Sequence, residues 1–68
     1  MGDERLEDLR ARLEDIAEEL ASLGYGKLKE AIETGKAEAA AEERVLGRAR
    51  RSVLKAASLL SKGSAVDE

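Results

Sequence analysis

Four cations share one stripe in the C-terminal half of the chain. Arg44, Arg48, Arg51 and Lys55 step by four, three and four, a helical spacing that aligns them on one face. Such a stripe can contact the phosphates of a nucleic-acid backbone. It can equally stand in water and complement the acidic N-terminal half, within a chain or between chains. The segment has no aromatic residues to stack on bases, and the chain has no Asn or Gln to read base edges. Nucleic-acid binding here would be electrostatic and steeply salt-dependent, and it is not the leading expectation.

A second constellation is acidic. Glu14, Asp15, Glu18 and Glu19 cluster on the N-terminal stretch. Carboxylates in this number can hold a hard cation. Di-metal bundle sites, however, use Glu-x-x-His, and the chain has no His. The cluster also lies outward of the apolar positions, so it reads as a solvated acidic face. Tyr25 and Lys29 stand four apart, the spacing of the catalytic pair in short-chain dehydrogenases. Those enzymes require a parallel sheet and a glycine-rich dinucleotide loop, and neither pattern occurs here. As the single aromatic residue, Tyr25 reads instead as filler with its hydroxyl at a rim. Without Cys or His the chain has no zinc finger, haem, iron–sulfur or disulfide framework, and no His-activated nucleophile. No catalytic residue, metal ligand, cofactor or small-molecule ligand is expected, and the protein is read as a non-enzyme.

The elements that position these residues are helical. The sequence has 68 residues drawn from thirteen residue types, with Ala, Glu, Leu, Arg and Lys supplying about two thirds of them, a helix-bundle composition. Leu6, Leu9, Leu13, Ile16, Leu20 and Leu23 are spaced three, four, three, four and three, a heptad seam. Asp3 can cap its start, and Asp8 precedes Arg12 by four, a favourable helix pair. The seam changes phase at Gly24-Tyr25-Gly26, after which Leu28, Ala31 and Ile32 follow. The expectation is a first helix over about 3–34, continuous, kinked or broken at 24–26. Thr34-Gly35-Lys36 is the best turn, with Gly35 suited to a left-handed conformation. A second helix is expected over about 38–62, with the seam Leu46, Ala49, Val53, Ala56 and Leu60. Val45, Leu54, Ala57 and Leu59 widen its apolar face. Gly63 ends it, and 64–68 reads as a frayed tail.

Charge divides between the two halves. Residues 1–34 hold ten acids against five bases, net −5, whereas residues 44–62 hold six bases and no acid, net +6. The whole chain carries a mild −3. The segment Arg50-Arg51-Ser52-Val53-Leu54-Lys55 onward is basic and amphipathic, but its apolar face is small and lacks an aromatic anchor, so a bundle core explains it better than a membrane surface. No apolar run is long enough to span a bilayer, and the start has neither signal-peptide nor myristoylation form. The expected location is cytoplasmic.

The two stretches Arg5-Leu6 to Ile32-Glu33 and Glu42-Glu43 to Leu59-Leu60 together resemble small uncharacterised helical proteins common in actinobacteria. The likeness rests on the run Leu23-Gly24-Tyr25-Gly26-Lys27-Leu28-Lys29-Glu30-Ala31 and on Arg48-Ala49-Arg50-Arg51. It implies a helical fold and, as the group has no assigned activity, nothing about function. The glycines flanking Tyr25 depart from that pattern. The rival origin is a designed sequence, which the reduced alphabet and clean first seam fit, and which glycines inside helices do not.

The sequence thus specifies one all-α domain, an antiparallel helical hairpin. A chain this short seldom builds a large core alone. The hairpin is expected to pair with a second copy as a homodimeric four-helix bundle. Leu6, Leu9, Leu13, Ile16, Leu20, Leu23, Leu28 and Ile32 should meet Leu46, Ala49, Val53, Ala56 and Leu60 in that self-association core. Two alternatives stand beside this one. In one the basic face is an electrostatic binder of nucleic acid or an acidic partner; in the other the chain is an antitoxin-like regulator that captures a helix of an unidentified protein partner.

Overall fold

Helix-forming residues occupy both halves of the chain, and one residue between them has the backbone freedom to reverse it. The computed structural model describes residues 3–63. The first helix, α1, spans Asp3–Thr34, and the second, α2, spans Ala37–Gly63. They pack against each other as a hairpin. The result is a slab measuring 51 × 21 × 10 Å along its principal axes, one helix thick. The expected tail over 64–68 and the capping side chain of Asp3 lie outside the described residues.

The turn is built from two residues and closed by the chain's own polar groups. Gly35 has φ +70°, in the left-handed region that side chains with a Cβ avoid. Its N–H donates to the Ala31 carbonyl at 2.8 Å, the bond of an αL helix cap. The Thr34 hydroxyl donates to the Glu30 carbonyl at 2.8 Å and accepts from the Lys36 N–H at 3.2 Å. That one hydroxyl therefore bonds back onto the last turn of α1 and satisfies an amide entering α2. The Lys36 carbonyl then accepts from the Ala40 N–H at 3.4 Å, and Glu38 adds a negative charge in the first turn of α2.

α1 runs unbroken through Gly24-Tyr25-Gly26. Gly24 sits on the inner side, where a Cβ would stand 3.8 Å from Leu46 Cβ, an ordinary packing distance. The phase change in the sequence is therefore a shift of the large exposed apolar residues from one flank of the α2-facing seam, at Leu9, Ile16 and Leu23, to the other, at Leu28 and Ile32. Along α1 the more protected positions are Leu6, Arg10, Leu13, Ala17, Leu20, Gly24, Lys27 and Ala31, in alternating steps of four and three. That is a regular seam, but it carries Arg10, Ala17 and Gly24 where Leu9, Ile16 and Leu23 were the conspicuous apolar residues. Among the described residues the buried side chains are all small: Ala17 at 3% exposure, Ala39 at 2% and Ala57 at 2%. Leu13, Leu20, Leu46, Val53 and Leu60 line the junction half-buried.

Two glycine substitutions should act in opposite directions. Gly35→Ala forces a Cβ into the left-handed region and is expected to destabilise by about 1–2 kcal/mol. Gly26→Ala adds a methyl where no atom lies within 4 Å. It is expected to stabilise by about 1 kcal/mol through helix propensity alone. Urea denaturation at one fixed protein concentration measures both.

Candidate interaction surfaces

A slab one helix thick has two broad sides, and each carries a different chemistry. The first side is apolar. Leu9, Ile16 and Leu23 recur every seven residues on one row of α1 and remain 43%, 46% and 60% exposed. Leu23 lines a groove of about 460 Å³ together with Lys27, Ala41, Glu42, Val45 and Leu46. Leu59 lies two heptads beyond Val45 on the same row of α2, and both are about as exposed as Leu23. Ala49 and Ala56, one and two heptads beyond Glu42, lie half-buried along that side.

At the loop end of this groove one charged contact ties the two helices. Lys27 Nζ lies 2.7 Å from Glu42 Oε1 across the hairpin and 3.5 Å from Glu30 Oε1 on its own helix. The hydrogen bond to Glu42, then the negative charges of Glu30 and Glu42, raise the Lys27 pKa above its ordinary value of 10.5. All three side chains are well exposed, so the contact fixes register more than it adds stability. The other ion pairs run along α1, Arg10 with Glu14 at 3.1 Å and Arg12 with Asp8 at 3.7 Å.

The second side mixes apolar and basic groups. Tyr25, Leu28 and Ile32 stand exposed along the loop half of α1. Beside them is a groove of about 300 Å³ whose walls include Tyr25, Leu28, Arg50 and Arg51, with Gly24 and Gly47 among its lining. Arg44, Arg48 and Arg51 gather around Gly47 at its outer edge, with the carboxylate-bearing Glu43 among them. Lys55 continues the row one heptad beyond Arg48. All four stripe residues are exposed, and among the described residues none of them forms an ion pair.

The eight α1 positions named from sequence therefore divide into three groups. Leu6, Leu13 and Leu20 line the junction with α2; Leu9, Ile16 and Leu23 face out on the first side; Leu28 and Ile32 face out on the second. On α2, Leu46, Ala49, Val53, Ala56 and Leu60 are all half-buried. The acidic residues Glu14, Asp15, Glu18 and Glu19 are exposed, and among the described residues no three acidic side chains converge on a point that would hold a metal ion. No helix among those residues is long and apolar enough to cross a membrane. Sequence reasoning missed the Lys27–Glu42 tie. The signal for it was available, because a two-residue turn at Gly35 sets the antiparallel register and so places residue 27 across from residue 42.

Comparison of the chain with protein-family models, with curated proteins and with solved structures returns no match.

The Lys27 contact should be visible in alkali. Its folded-state pKa is raised, so the pair contributes stability that is complete below the ordinary lysine value of 10.5. That contribution is lost as pH rises through the higher folded-state value. Lys27→Met is expected to lower the melting temperature slightly at neutral pH and to approach the wild type above pH 10.5. Melting curves of both proteins across that range check it, since the difference between them isolates Lys27 from every other titrating group.

Proposed function

We propose that the chain is a non-enzymatic self-association module that pairs with a second copy through its first side, as a four-helix bundle. The observation that carries this reading is the exposure of a continuous apolar row. Leu9, Ile16 and Leu23 face water on α1, flanked by Val45 and Leu59 on α2, while the side chains the hairpin buries are alanines. An apolar face of this kind on a small domain marks an association surface. Burying it against another copy supplies the large-side-chain core that the single hairpin lacks. The half-buried Ala49 and Ala56 leave room beside that row for the larger side chains of a facing helix.

A second reading rests on the basic stripe. Arg44, Arg48, Arg51 and Lys55 are exposed and pair with no carboxylate among the described residues, which favours an electrostatic surface for nucleic acid or another acidic partner. Duplex DNA or RNA would then shift in a gel at about 50 mM salt and lose affinity steeply as salt rises. Absence of a shift removes this reading.

Sedimentation equilibrium across a wide concentration range, with helicity followed by circular dichroism, tests the leading proposal. A highly helical dimer is the expected result. Ile16→Asp should abolish the dimer and most of the helicity, since it forfeits about 2–5 kcal/mol of packing per chain and buries a carboxylate without a partner. A folded Ile16→Asp protein that stays associated at about 500 mM salt, where exposed charges are screened, would overturn the proposal. A helical monomer would do the same, and would point instead to a partner helix that fills the apolar face, as in the antitoxin-like alternative.

A further inference from the structure

The opposite side of the slab has a charge pattern that one chain does not satisfy. Glu18 lies one heptad before Tyr25, and Glu14 one heptad before Ala21, so both carboxylates share the side on which Tyr25 and Ala21 line the second groove. Arg51 lines that same groove, as does Glu43, and Lys55 lies one helical turn beyond Arg51 on α2. The register of the hairpin is fixed by Gly24 against Leu46 and Lys27 against Glu42. Continued toward the open end, it brings Glu18 level with Arg51 and Glu14 level with Lys55, within one residue.

These groups stand at matching heights and still do not pair. They sit exposed on two helices whose axes pack about 8–10 Å apart. Glu14 contacts Arg10 through Oε2, Glu18 forms no ion pair among the described residues, and neither do Arg51 and Lys55. Turning a second slab over about its long axis and laying it on this side changes one thing only. α1 of each copy then lies on α2 of the other, at unchanged height. Glu18 comes over the second copy's Arg51 and Glu14 over its Lys55, and the two-fold axis makes each pairing twice. Tyr25 comes over the second copy's Arg44, a cation–π arrangement.

We infer that this side is a second, electrostatic self-association surface, on which another copy of the chain docks with Glu14 and Glu18 against Arg51 and Lys55. It lies opposite the apolar side and does not depend on pairing there. Used together, two isologous surfaces on opposite sides of a slab generate an open stack and not a closed ring. The exposed charges make this contact the salt-sensitive one. The screening length falls from about 30 Å at 10 mM salt to about 3 Å at 1 M, whereas apolar association persists in salt.

Two charge-reversed chains test it, Glu14→Lys with Glu18→Lys in one and Arg51→Glu with Lys55→Glu in the other. All four positions are exposed, and circular dichroism verifies that both variants remain helical. By sedimentation equilibrium the wild type should at least double its weight-average mass between about 500 mM and about 20 mM salt, since screening controls the contact. Each reversed variant alone should show no such rise, because its facing charges repel. An equimolar mixture should recover it, because every facing pair is again opposite in sign. A wild-type mass that is independent of salt overturns the inference, as does a low-salt rise that both variants keep. A high-salt monomer that associates at low salt would refute pairing through the apolar side and sustain this surface. A dimer at both salt concentrations would do the reverse.

Discussion

Two helices meet along a line, and a line of contact encloses only what is small enough to fit between the two cylinders. Every other property of this hairpin follows from that constraint. Alanine at 17, 39 and 57 is sealed in, while leucine, isoleucine and valine are wetted on at least one flank. The packing energy of the chain is therefore carried by side chains that are half-used. A second layer would raise their burial without moving a backbone atom. The thinness of the slab explains why it has two broad sides at all. The division of charge and apolar groups between those sides gives each its own surface chemistry.

The loop imposes the second constraint. A two-residue connection leaves no slack, so the conformation of Gly35 and the hydroxyl of Thr34 set which residues of α1 and α2 are level with each other. Lys27 and Glu42 meet because of that register, and so do Gly24 and Leu46. Most of the described ion pairs on the molecule are local, between residues three or four apart on one helix. The cross-hairpin tie is thus the polar contact that reports on tertiary structure, although its exposure keeps its energetic weight small.

The architecture was largely legible in the sequence. The heptad spacing from Leu6 to Leu23, the glycine after Thr34 and the helix-forming flanks specify two helices and a reversal. The helix ends fall within a residue of those expected, Thr34 for the first and Ala37 and Gly63 for the second. Less legible was the side of the leucine stripe that α2 covers. Leu6, Leu13 and Leu20 belong equally to a seam completed by Leu9 and Ile16 and to one completed by Arg10 and Ala17. Hydropathy favours the first and the hairpin uses the second. Large side chains hold two axes apart, and alanine and glycine let them close, so the intrachain seam takes the small residues. The glycines at 24 and 26 left a kink or a break open beside a continuous helix, and the helix is continuous. They are embedded in a long helix whose flanking turns carry it through.

Two non-helical residues, Gly35 and Lys36, separate this hairpin from a rod. The reversal between α1 and α2 rests on the positive φ of Gly35, and no Pro in the chain forbids helix on either side of it. If both residues took right-handed helical geometry, residues 3–63 would form a single helix about 90 Å long. Its two halves would then find, in another chain, the contacts they now make with each other. The inventory of close contacts would be nearly the same, but the strands of the assembly would be exchanged, with each chain passing through both ends of the bundle. Domain exchange is thus the natural failure mode of this turn, and glycine at 35 is what keeps each molecule folded back upon itself.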